Sequence, residues 1–327
     1  MATIKDIAQR VGVSTCTVSR YINGKIRVRE ETAARIDQAI KDLDYYKNYS
    51  AVSLKTNSSK IIALIIPSLK NLLFAEIAEN VVRVLEKQGY TIVTFTTDNQ
   101  FQKEKEAVRK LMELRVAGAI FITLPYGYTN GDHIRLLEKQ GIQCLMINRF
   151  FEENEFTSVS TDFYQGARLA VAYLLGRGCR RLSLVSGAPG QPQSEAYVEG
   201  FREALTEKGL ELESNLIKYC YYDEEKMQDV TRELIGEGAD GLFCISDYMA
   251  LAALEVTEHK PFRSGRVCLL SSGNTRFAEL GNFSSLDHKA RDLGRTGAEM
   301  LLEKIEGRPD VQFVLIQPEV VDRSAAI

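Results

Sequence analysis

Apolar residues recur at a helical spacing near the amino terminus. Positions i, i+3, i+4 and i+7 of one apolar stripe are occupied by Ile4, Ile7, Ala8 and Val11. Thr3 stands where a helix N-cap belongs, and Asp6 follows it in the capping-box position. Gly12 then offers the residue that most easily ends a helix in the left-handed conformation. The pattern predicts a short capped helix.

A second short helix follows at once. Ser14 can cap it, and Asn23-Gly24 can end it. Its apolar stripe consists of Val18, Tyr21 and Ile22. Two helices this close, sharing one apolar seam, predict a helix-turn-helix. A third helix over Glu31 to Leu43 is expected to complete a three-helix head.

From Ile61 onward, short β-rich apolar runs alternate with helical periodicity. The first four runs are IIALIIP, YTIVTF, GAIFIT and QCLMIN, and the helical segments between them cover 72–88, 101–115 and 131–140. Near Asp162 the alternation starts again with RLSLVS, IKYCYY, DGLFCI and VCLLS, and with helices near 163–176, 195–208, 224–236 and 248–258. Alternation of this length predicts two doubly wound parallel sheets, each covered by helices on both faces.

The fold class is therefore α/β, with an all-α helix-turn-helix head before a core of two subdomains. The last helix, Ala290 to Glu306, and the strand Val311 to Ile316 are expected to complete this pair of α/β units. The expected divisions are a head over 1–48, a hinge helix or linker over 49–59, a first core subdomain over 60–161 that about 289–318 completes, a second core subdomain over 162–288, and a carboxyl-terminal tail over 319–327.

Charge is distributed unevenly along the chain. The net charge is −3, yet residues 1–60 hold 11 Lys or Arg against 6 Asp or Glu, while the remainder holds 30 against 38. A basic head on an acidic body fits contact with DNA by the head alone. The six widely spaced cysteines contain no C-x-x-C pair, so free thiols in a cytoplasmic protein are favoured over disulfides or a metal site. Neither a signal peptide nor a membrane-spanning run is expected.

The polar residues of the second helix indicate what the head binds. Because the seam uses Val18, the outer face of that helix is left to Thr15, Cys16, Thr17, Ser19 and Arg20. In a helix-turn-helix this end enters the major groove of DNA, where an arginine such as Arg20 can bind guanine bidentately. Thr15 and Cys16 are short enough to lie against base edges, and Thr3 and Ser14 suit phosphates. The alternative is a helical hairpin that only packs.

Residues that follow strands are the candidates for a ligand pocket, because ligands of open α/β sheets bind beyond the carboxyl ends of the strands. In the first unit they include Leu73, Phe74, Asp98 and Arg149, beside Ser68, Asn71 and Asn148. In the second unit they include Tyr197, Ser246, Asp247 and Asn274, beside the segment from Ser186 to Ser194. Phe74 could stack on a sugar-like ligand and Arg149 could bind its hydroxyl or carboxylate groups. Each of these residues could instead cap a loop or join the two units.

At this point the chain resembles the lactose/galactose repressor family of bacterial transcription regulators. The resemblance rests on TIKDIAQRVGVSTCTVSRYINGK, VREET and NYSAVSLK, and then on PSLKNLLFAEI, INR at 147–149, VSTDFYQGARLA, EGFREAL and SDYMALAAL in the same order. It covers essentially the whole chain.

The resemblance implies a homodimer whose heads bind the two halves of a palindromic double-stranded operator. It also implies that 49–54 folds into a hinge helix on DNA, with Leu54 and Ala51 in the minor groove. Thr15, Cys16 and Arg20 then become base readers, while Thr3, Ser14, Thr17, Ser19 and Asn23 contact or position the backbone. A small-molecule effector (a sugar, a sugar phosphate or a related metabolite) in the cleft shifts the two subdomains and so changes DNA affinity. The family further implies a repressor in the cytoplasm, associated with the nucleoid, with no cofactor and no membrane partner.

The chain departs from the family pattern at several positions. Lys47 replaces the usual proline before the hinge, and Arg29 replaces the usual serine cap of the third helix. In the pocket Tyr197 replaces an arginine, Ser246-Asp247 replaces Asn-Asp, and Ser271-Ser272-Gly273 replaces Gly-Phe-Asp. The polar groups of the cleft therefore differ from those of a typical free-sugar site, and a phosphorylated, a less polar or an absent effector are all compatible with them.

Three alternative functions share part of this pattern. A periplasmic sugar-binding protein would share the two-lobed core but would need an export signal and no DNA-binding head. An enzyme would need a nucleophile with its base or a phosphate-binding loop, and the sequence contains no G-x-x-x-x-G-K-[ST], no G-x-G-x-x-G after the first strand and no nucleophile elbow. No catalytic residue and no metal ligand is therefore expected. The alternative within DNA binding is a regulator controlled by a partner protein, without a small effector.

Overall fold

The computed structural model describes residues 2–45, 59–123, 130–149, 151, 156–210, 213–257, 267–308 and 312–323. The chain forms two compact units, Met1–Asn57 and Ser58–Ile327. The first unit is the head and the second is the core.

The described part of the head consists of three helices: α1 (Ile4–Val11), α2 (Thr15–Ile22) and α3 (Glu30–Asp42). The capping box predicted at Thr3 and Asp6 is present, and Gly12 ends α1 with φ of 75°. The side chains buried between the helices are Ile7, Ala8, Val11, Val18, Ile36 and Ala39. Arg29 occupies the N-cap position of α3 and makes no capping hydrogen bond with its side chain.

The core contains two six-stranded sheets. Sheet A, which defines the first subdomain, is entirely parallel and has the strand order β11-β5-β4-β3-β1-β2. Its strands are β1 (Ile61–Ile66), β2 (Thr91–Thr96), β3 (Gly118–Ile122), β4 (Gln143–Ile147), β5 (Ser158–Thr161) and β11 (Phe313–Ile316). The helices of this subdomain are α4 (Leu72–Lys87), α5 (Phe101–Leu114), α6 (Asp132–Lys139) and α12 (Ala290–Ile305). Separate apolar clusters cover the two faces of the sheet, as buried parallel strands require.

Sheet B defines the second subdomain and has the strand order β12-β10-β9-β8-β6-β7. Its strands are β6 (Leu182–Ser186), β7 (Ile217–Tyr219), β8 (Gly241–Cys244), β9 (Cys268–Gly273), β10 (Ser284–Asp287) and β12 (Glu319–Val321). Its helices are α7 (Phe163–Gly176), α8 (Pro192–Glu207), α9 (Glu224–Gly236), α10 (Asp247–Thr257) and α11 (Arg276–Leu280). All pairs are parallel except β10 with β12.

The chain passes between the subdomains three times within its described part, after β5, after β10 and after β11. These short connections bring the carboxyl ends of the strands of both sheets towards one cleft. The two-subdomain α/β architecture predicted from the alternation of strands and helices is confirmed.

The sequence pattern does not predict four of the observed elements: β5, β10, α11 and β12. The first two are four residues long and rich in serine and threonine, so they lack the apolar signature of the other strands. β12 corrects the expectation of a tail over 319–327, because Glu319–Val321 pairs antiparallel with β10 at the edge of sheet B. Pro318 precedes it, which favours an extended start at an edge strand.

Candidate functional sites

One face of α2 carries the predicted base readers. Thr15, Cys16 and Arg20 are exposed, whereas Val18 is fully buried in the seam between the helices. Arg20 makes no ion pair with any residue of the described part of the chain. The helix therefore presents a guanidinium and two short side chains to solvent on a rigid support, as binding in a major groove requires.

The other candidates of the head have structural roles at the ends of the helices. The Ser14 hydroxyl accepts a hydrogen bond from the Thr17 amide at 3.0 Å, and the two hydroxyls lie 2.8 Å apart. At the start of α1 the Thr3 amide donates to the Asp6 carboxylate at 2.8 Å, and the Asp6 amide donates to the Thr3 hydroxyl at 3.4 Å. Asn23 donates through Nδ2 to the Ser19 carbonyl at 2.6 Å and so closes the end of α2. These residues fix the position and angle of the exposed face of α2. The two predicted minor-groove residues, Ala51 and Leu54, lie outside the described residues.

The core contains a cavity of about 50 Å³ between the carboxyl ends of the two sheets. The first subdomain contributes Asn71, Leu73, Phe74, Thr123 and Asn148 to its lining. The second contributes Phe163, Gln193, Tyr197, Tyr222, Ile245, Ser246, Asp247, Ser272, Thr275 and His288. Of the residues predicted for the effector, the structure thus brings together Leu73, Phe74, Tyr197, Ser246 and Asp247.

Asp247 is the buried carboxylate of this cavity. One of its oxygens accepts hydrogen bonds from the hydroxyls of Ser271 and Ser285, the second of these at 2.6 Å. The other oxygen accepts from the Thr275 amide at 2.6 Å. Asp247 is also the first residue of α10, where a negative charge is favoured by the helix dipole. Hydrogen bonds and the dipole therefore hold the carboxylate in place.

A second network joins Tyr197, Ser272 and His288. The Tyr197 hydroxyl lies 2.7 Å from Ser272 Oγ and 3.0 Å from His288 Nε2, and the latter two atoms are 2.5 Å apart. Burial lowers the pKa of His288 to about 4, although Asp247 opposes this effect. His288 is therefore neutral at physiological pH. Burial raises the pKa of Tyr197 well above its ordinary value, so its hydroxyl stays protonated.

Three predicted effector contacts do not line the cavity. Arg149 is buried beside α5, where its two terminal nitrogens donate to the carboxylate of Glu104. Asp98 is exposed and pairs with Lys103. The Asn274 side chain accepts a hydrogen bond from Arg323 at 2.6 Å. Each of these three side chains therefore binds a partner in its own subdomain. Their positions after strands do not indicate these partners.

Several residues of the cavity were not among the predicted effector contacts. Ser272 and His288 follow or end strands of sheet B, and His288 comes directly after β10, which its serine-rich sequence concealed. Phe163 opens α7 directly after the crossing from β5. The rule that ligand residues follow strands would have found Phe163 and His288, had β5 and β10 been recognised, and it applies to Ser272 as well, which directly follows the predicted run VCLLS.

Two further observations concern other kinds of site. Within the described residues, no group of three or more His, Cys, Asp or Glu side chains is arranged to hold a metal ion. None of the described helices is both long enough and apolar enough to cross a membrane.

Comparison with known families gives two matches that together span most of the chain. Residues 3–48 match the model of bacterial regulatory proteins of the lacI family, and residues 62–309 match that of the periplasmic binding protein domain. The head and the core described above coincide closely with these two regions.

Similar proteins of known function are transcriptional repressors. The ribose operon repressor of Halalkalibacterium halodurans is 31% identical over 318 residues, which cover 94% of this chain and 92% of that protein. The HTH-type transcriptional repressor PurR of Pasteurella multocida is 28% identical over 332 residues, covering 99% and 98%.

Solved structures show the same fold. The Lac repressor dimer bound to operator and the anti-inducer ONPF superimposes with a TM-score of 0.85 at 21% identity, covering 100% of this chain and 99% of that one. The complex of the transcriptional regulator CelR with cellobiose gives a TM-score of 0.73 at 23% identity, covering 99% and 100%.

Proposed function

The chain belongs to the LacI family of bacterial regulatory proteins, and from this premise we propose that it represses a metabolic operon as a homodimer on a palindromic operator. It is a sequence-specific DNA-binding regulator of transcription. The observation that carries the proposal is the exposure of Arg20, Thr15 and Cys16 on α2 while Val18 is buried beneath them. The protein acts in the cytoplasm, at the nucleoid, and catalyses no reaction.

Each part of the chain has a distinct role in this function. The head, 1–48, reads bases through Thr15, Cys16 and Arg20 and is positioned on the backbone by the residues that order its helix ends: Thr3, Ser14, Thr17, Ser19 and Asn23. The segment 49–59 is the hinge, with Leu54 and Ala51 in the minor groove. Leu54→Ala should therefore reduce operator bending in an energy-transfer assay, and unchanged bending would remove Leu54 from that role.

The core responds to a small molecule. Its first subdomain consists of 60–161 and about 289–318, and its second consists of 162–288. The effector is a sugar, a sugar phosphate or a related metabolite that binds in the cleft and contacts Leu73, Phe74, Tyr197, Ser246 and Asp247. The cavity of about 50 Å³ holds roughly four water molecules, so a larger effector must enter when the subdomains move apart. Differential affinity for the two arrangements is what allows an effector to change DNA binding.

Selection from random duplex DNA by the full-length protein at near-physiological salt tests the DNA-binding part of the proposal. We expect enrichment of a palindrome whose half-sites lie about one helical turn apart. Failure to enrich any sequence, both alone and with added cell metabolites, would refute specific recognition. The flanking genes would identify the operon.

Control by a partner protein instead of a small molecule is the second candidate. The observation that favours it is the small size of the cavity together with the mutual hydrogen bonds of the Tyr197 hydroxyl, the Ser272 hydroxyl and His288 Nε2, which already pair these three atoms with one another. A partner-controlled regulator would show no saturable thermal stabilisation by any low-molecular-weight metabolite, because ligands stabilise only the state they bind.

A further inference from the structure

The cavity between the subdomains has a negative charge that no cationic side chain of its lining compensates. Among the described residues that line it there is no lysine and no arginine, and the only basic side chain, His288, is neutral. Asp247 is 2% exposed and makes no ion pair with a described lysine or arginine. Buried carboxylates are ordinarily paired with a cation, because desolvating an isolated charge costs several kcal/mol.

A further carboxylate lies on the helix that contributes Leu73 and Phe74 to the cavity, although it is not itself part of the lining. Glu76 comes two residues after Phe74 on α4 and is half-buried. Burial, and after it the carboxylates of Asp247, Asp287, Glu279 and Glu79, together raise the pKa of Glu76 to about 7. Glu76 therefore faces acidic groups from α10, β10 and α11 as well as from its own helix.

Four of the cations near these elements are already paired with other partners. Arg276 binds Glu279, Lys289 binds Glu319, Arg83 binds Glu79, and Arg295 binds both Asp292 and Glu299. Arg291, on α12, is exposed. None of these cations belongs to the described lining of the cavity, so none of them neutralises Asp247 there.

A buried acceptor without a partner provides independent evidence for a ligand. Gln193 lines the same cavity and is 8% exposed. Its amide nitrogen donates to the Asn148 carbonyl at 2.5 Å, while its Oε1 has no hydrogen-bond partner among the described residues. A buried carbonyl oxygen left unpaired costs free energy that a donor from a ligand would recover.

The remaining lining suits a cation as well. Phe74, Phe163, Tyr197 and Tyr222 place aromatic rings around the cavity. Aromatic faces attract an ammonium or guanidinium group through the ring quadrupole, and this attraction strengthens when the site is desolvated. A phosphate in this cavity would meet the Asp247 carboxylate and the Gln193 carbonyl oxygen without a single cationic side chain among the described lining residues, and this disfavours sugar phosphates.

We propose that the effector is an amine-bearing metabolite whose positive charge is bound at Asp247, within the field of Glu76, with Gln193 Oε1 accepting one of its N–H groups. This inference rests on the proposed control by a small molecule. Within the class of sugars and related metabolites, it selects cationic members such as amino compounds and excludes phosphorylated ones.

The test uses a metabolite extract separated by ion exchange into cationic, uncharged and anionic pools. Each pool is added to the full-length protein at fixed ionic strength, in a buffer that already contains the potassium and magnesium of the extract, and the melting temperature is measured. We expect a saturable rise of several degrees with the cationic pool alone. Stabilisation by the uncharged or the anionic pool would overturn the inference and leave small-molecule control intact. Stabilisation by no pool would overturn both, while palindrome selection would still report on DNA binding.

Variants assign the effect to the cleft. Asp247→Asn preserves the shape of the side chain but removes its charge, and should abolish the shift. Glu76→Gln should weaken the apparent affinity for the cationic pool several-fold. If Asp247→Asn does not fold, this variant alone tests whether the pool binds in the cleft. Glu86→Gln is the matched control, because Glu86 is exposed about 15 Å further along the same helix, and it should leave the shift unchanged. An equal loss in Glu86→Gln would contradict a local site.

Proton release gives a readout that a merely structural role of Glu76 would not produce. A cation bound nearby lowers the pKa of Glu76, so at pH 7 binding should release protons. Isothermal titration with the cationic pool in phosphate and in Tris, whose ionisation enthalpies differ, should give different apparent heats in the wild type. The difference should vanish in Glu76→Gln, and an identical difference in both proteins would refute the assignment.

Discussion

Arg149 and Glu104 form a bidentate ion pair inside the first subdomain, with both guanidinium–carboxylate distances at 2.9 Å. Both side chains are almost completely buried, at 0% and 2% exposure. His133 Nε2 lies 2.5 Å from Glu104 Oε1, and the Arg149 guanidinium stacks near Phe121 and Phe151. Burial alone would raise the pKa of Glu104, but Arg149 and His133 outweigh it and hold that pKa below its ordinary value.

Removing one partner of this pair should strongly destabilise the core. Arg149→Met leaves a buried carboxylate without its cation, so we expect a loss of about 3–5 kcal/mol in the free energy of unfolding. The double variant Arg149→Met/Glu104→Leu should lose less than either single variant. Urea unfolding followed by circular dichroism measures the three values.

The matched control for this ion pair lies on the surface. Arg168 pairs with Glu207 and is 26% exposed, so water screens the pair and Arg168→Met should cost far less than Arg149→Met. Equal losses for Arg149→Met and Arg168→Met would show that burial does not determine the strength of the first pair.

The same pair shows where sequence reasoning reached its limit. Arg149 follows a strand, as a pocket residue would, and nothing in the local pattern indicates that Glu104, 45 residues earlier, neutralises it. By contrast, Leu73, Phe74 and Asp247 belong to segments whose position after a strand determines where they lie. A partner distant in sequence can be identified only from the packing of helices against the sheet.

Local patterns predicted the head and most strands because single features determine them. The Thr3–Asp6 box and the burial of Val18 follow from residue type and spacing alone. β5 and β10 were not predicted because they lack an apolar pattern. Their serines and threonines are buried, and backbone pairing with the neighbouring strands β11 and β9 stabilises them instead. His288 was missed with β10, which it follows directly.

Glu76 makes the stability of the core depend on pH. Its folded pKa of about 7 exceeds the ordinary value of 4.5, so the folded state retains a proton that the unfolded state loses. The contribution of Glu76 to the free energy of unfolding therefore falls as pH rises from the pKa of the unfolded state, 4.5, to that of the folded state, about 7. Above pH 7 the full loss of stability is present. Glu76→Gln should raise the free energy of unfolding by about 1–2 kcal/mol at high pH, a figure reduced for the exposed half of the side chain.

Urea titrations at pH 5 and pH 8 measure this effect. The stabilisation should nearly disappear at pH 5, and Glu86→Gln should show no such dependence. A gain that is the same at both pH values would indicate a packing effect of the substitution instead of removal of a charge.

Gly200 permits the close approach of α7 and α8. A Cβ at this position would lie 2.3 Å from the Tyr164 carbonyl oxygen, so one helix would have to move. Gly200→Ala should cost about 1–3 kcal/mol or more, in line with other overpacked sites. Gly176, also helical, has no atom within 4 Å of such a Cβ, so Gly176→Ala should be neutral or stabilise by up to about 1 kcal/mol. Thermal unfolding by circular dichroism distinguishes the two.

Arg29 leaves the first turn of α3 without a side-chain acceptor for its amides. Arg29→Ser supplies a hydroxyl at the N-cap position, and we expect it to stabilise the head by about 0.5–2 kcal/mol. Hydrogen exchange of the α3 amides in the full-length protein should slow accordingly. Arg29→Ala removes the same charge without adding a cap and serves as the control, and equal protection in both variants would assign the gain to loss of charge.

Arg20 should determine sequence specificity and not merely affinity. Its guanidinium is exposed on α2 and unpaired among the described residues, so Arg20→Ala should cost about 1–3 kcal/mol on the selected operator. Binding to random DNA should persist with most of its salt dependence, because the phosphates are neutralised by other basic residues. Arg27→Ala removes the same charge from an exposed position outside α2 and should lower affinity for operator and random DNA alike. Fluorescence anisotropy with both duplexes at several salt concentrations gives the comparison, and an equal loss on both duplexes in Arg20→Ala would remove Arg20 from base recognition.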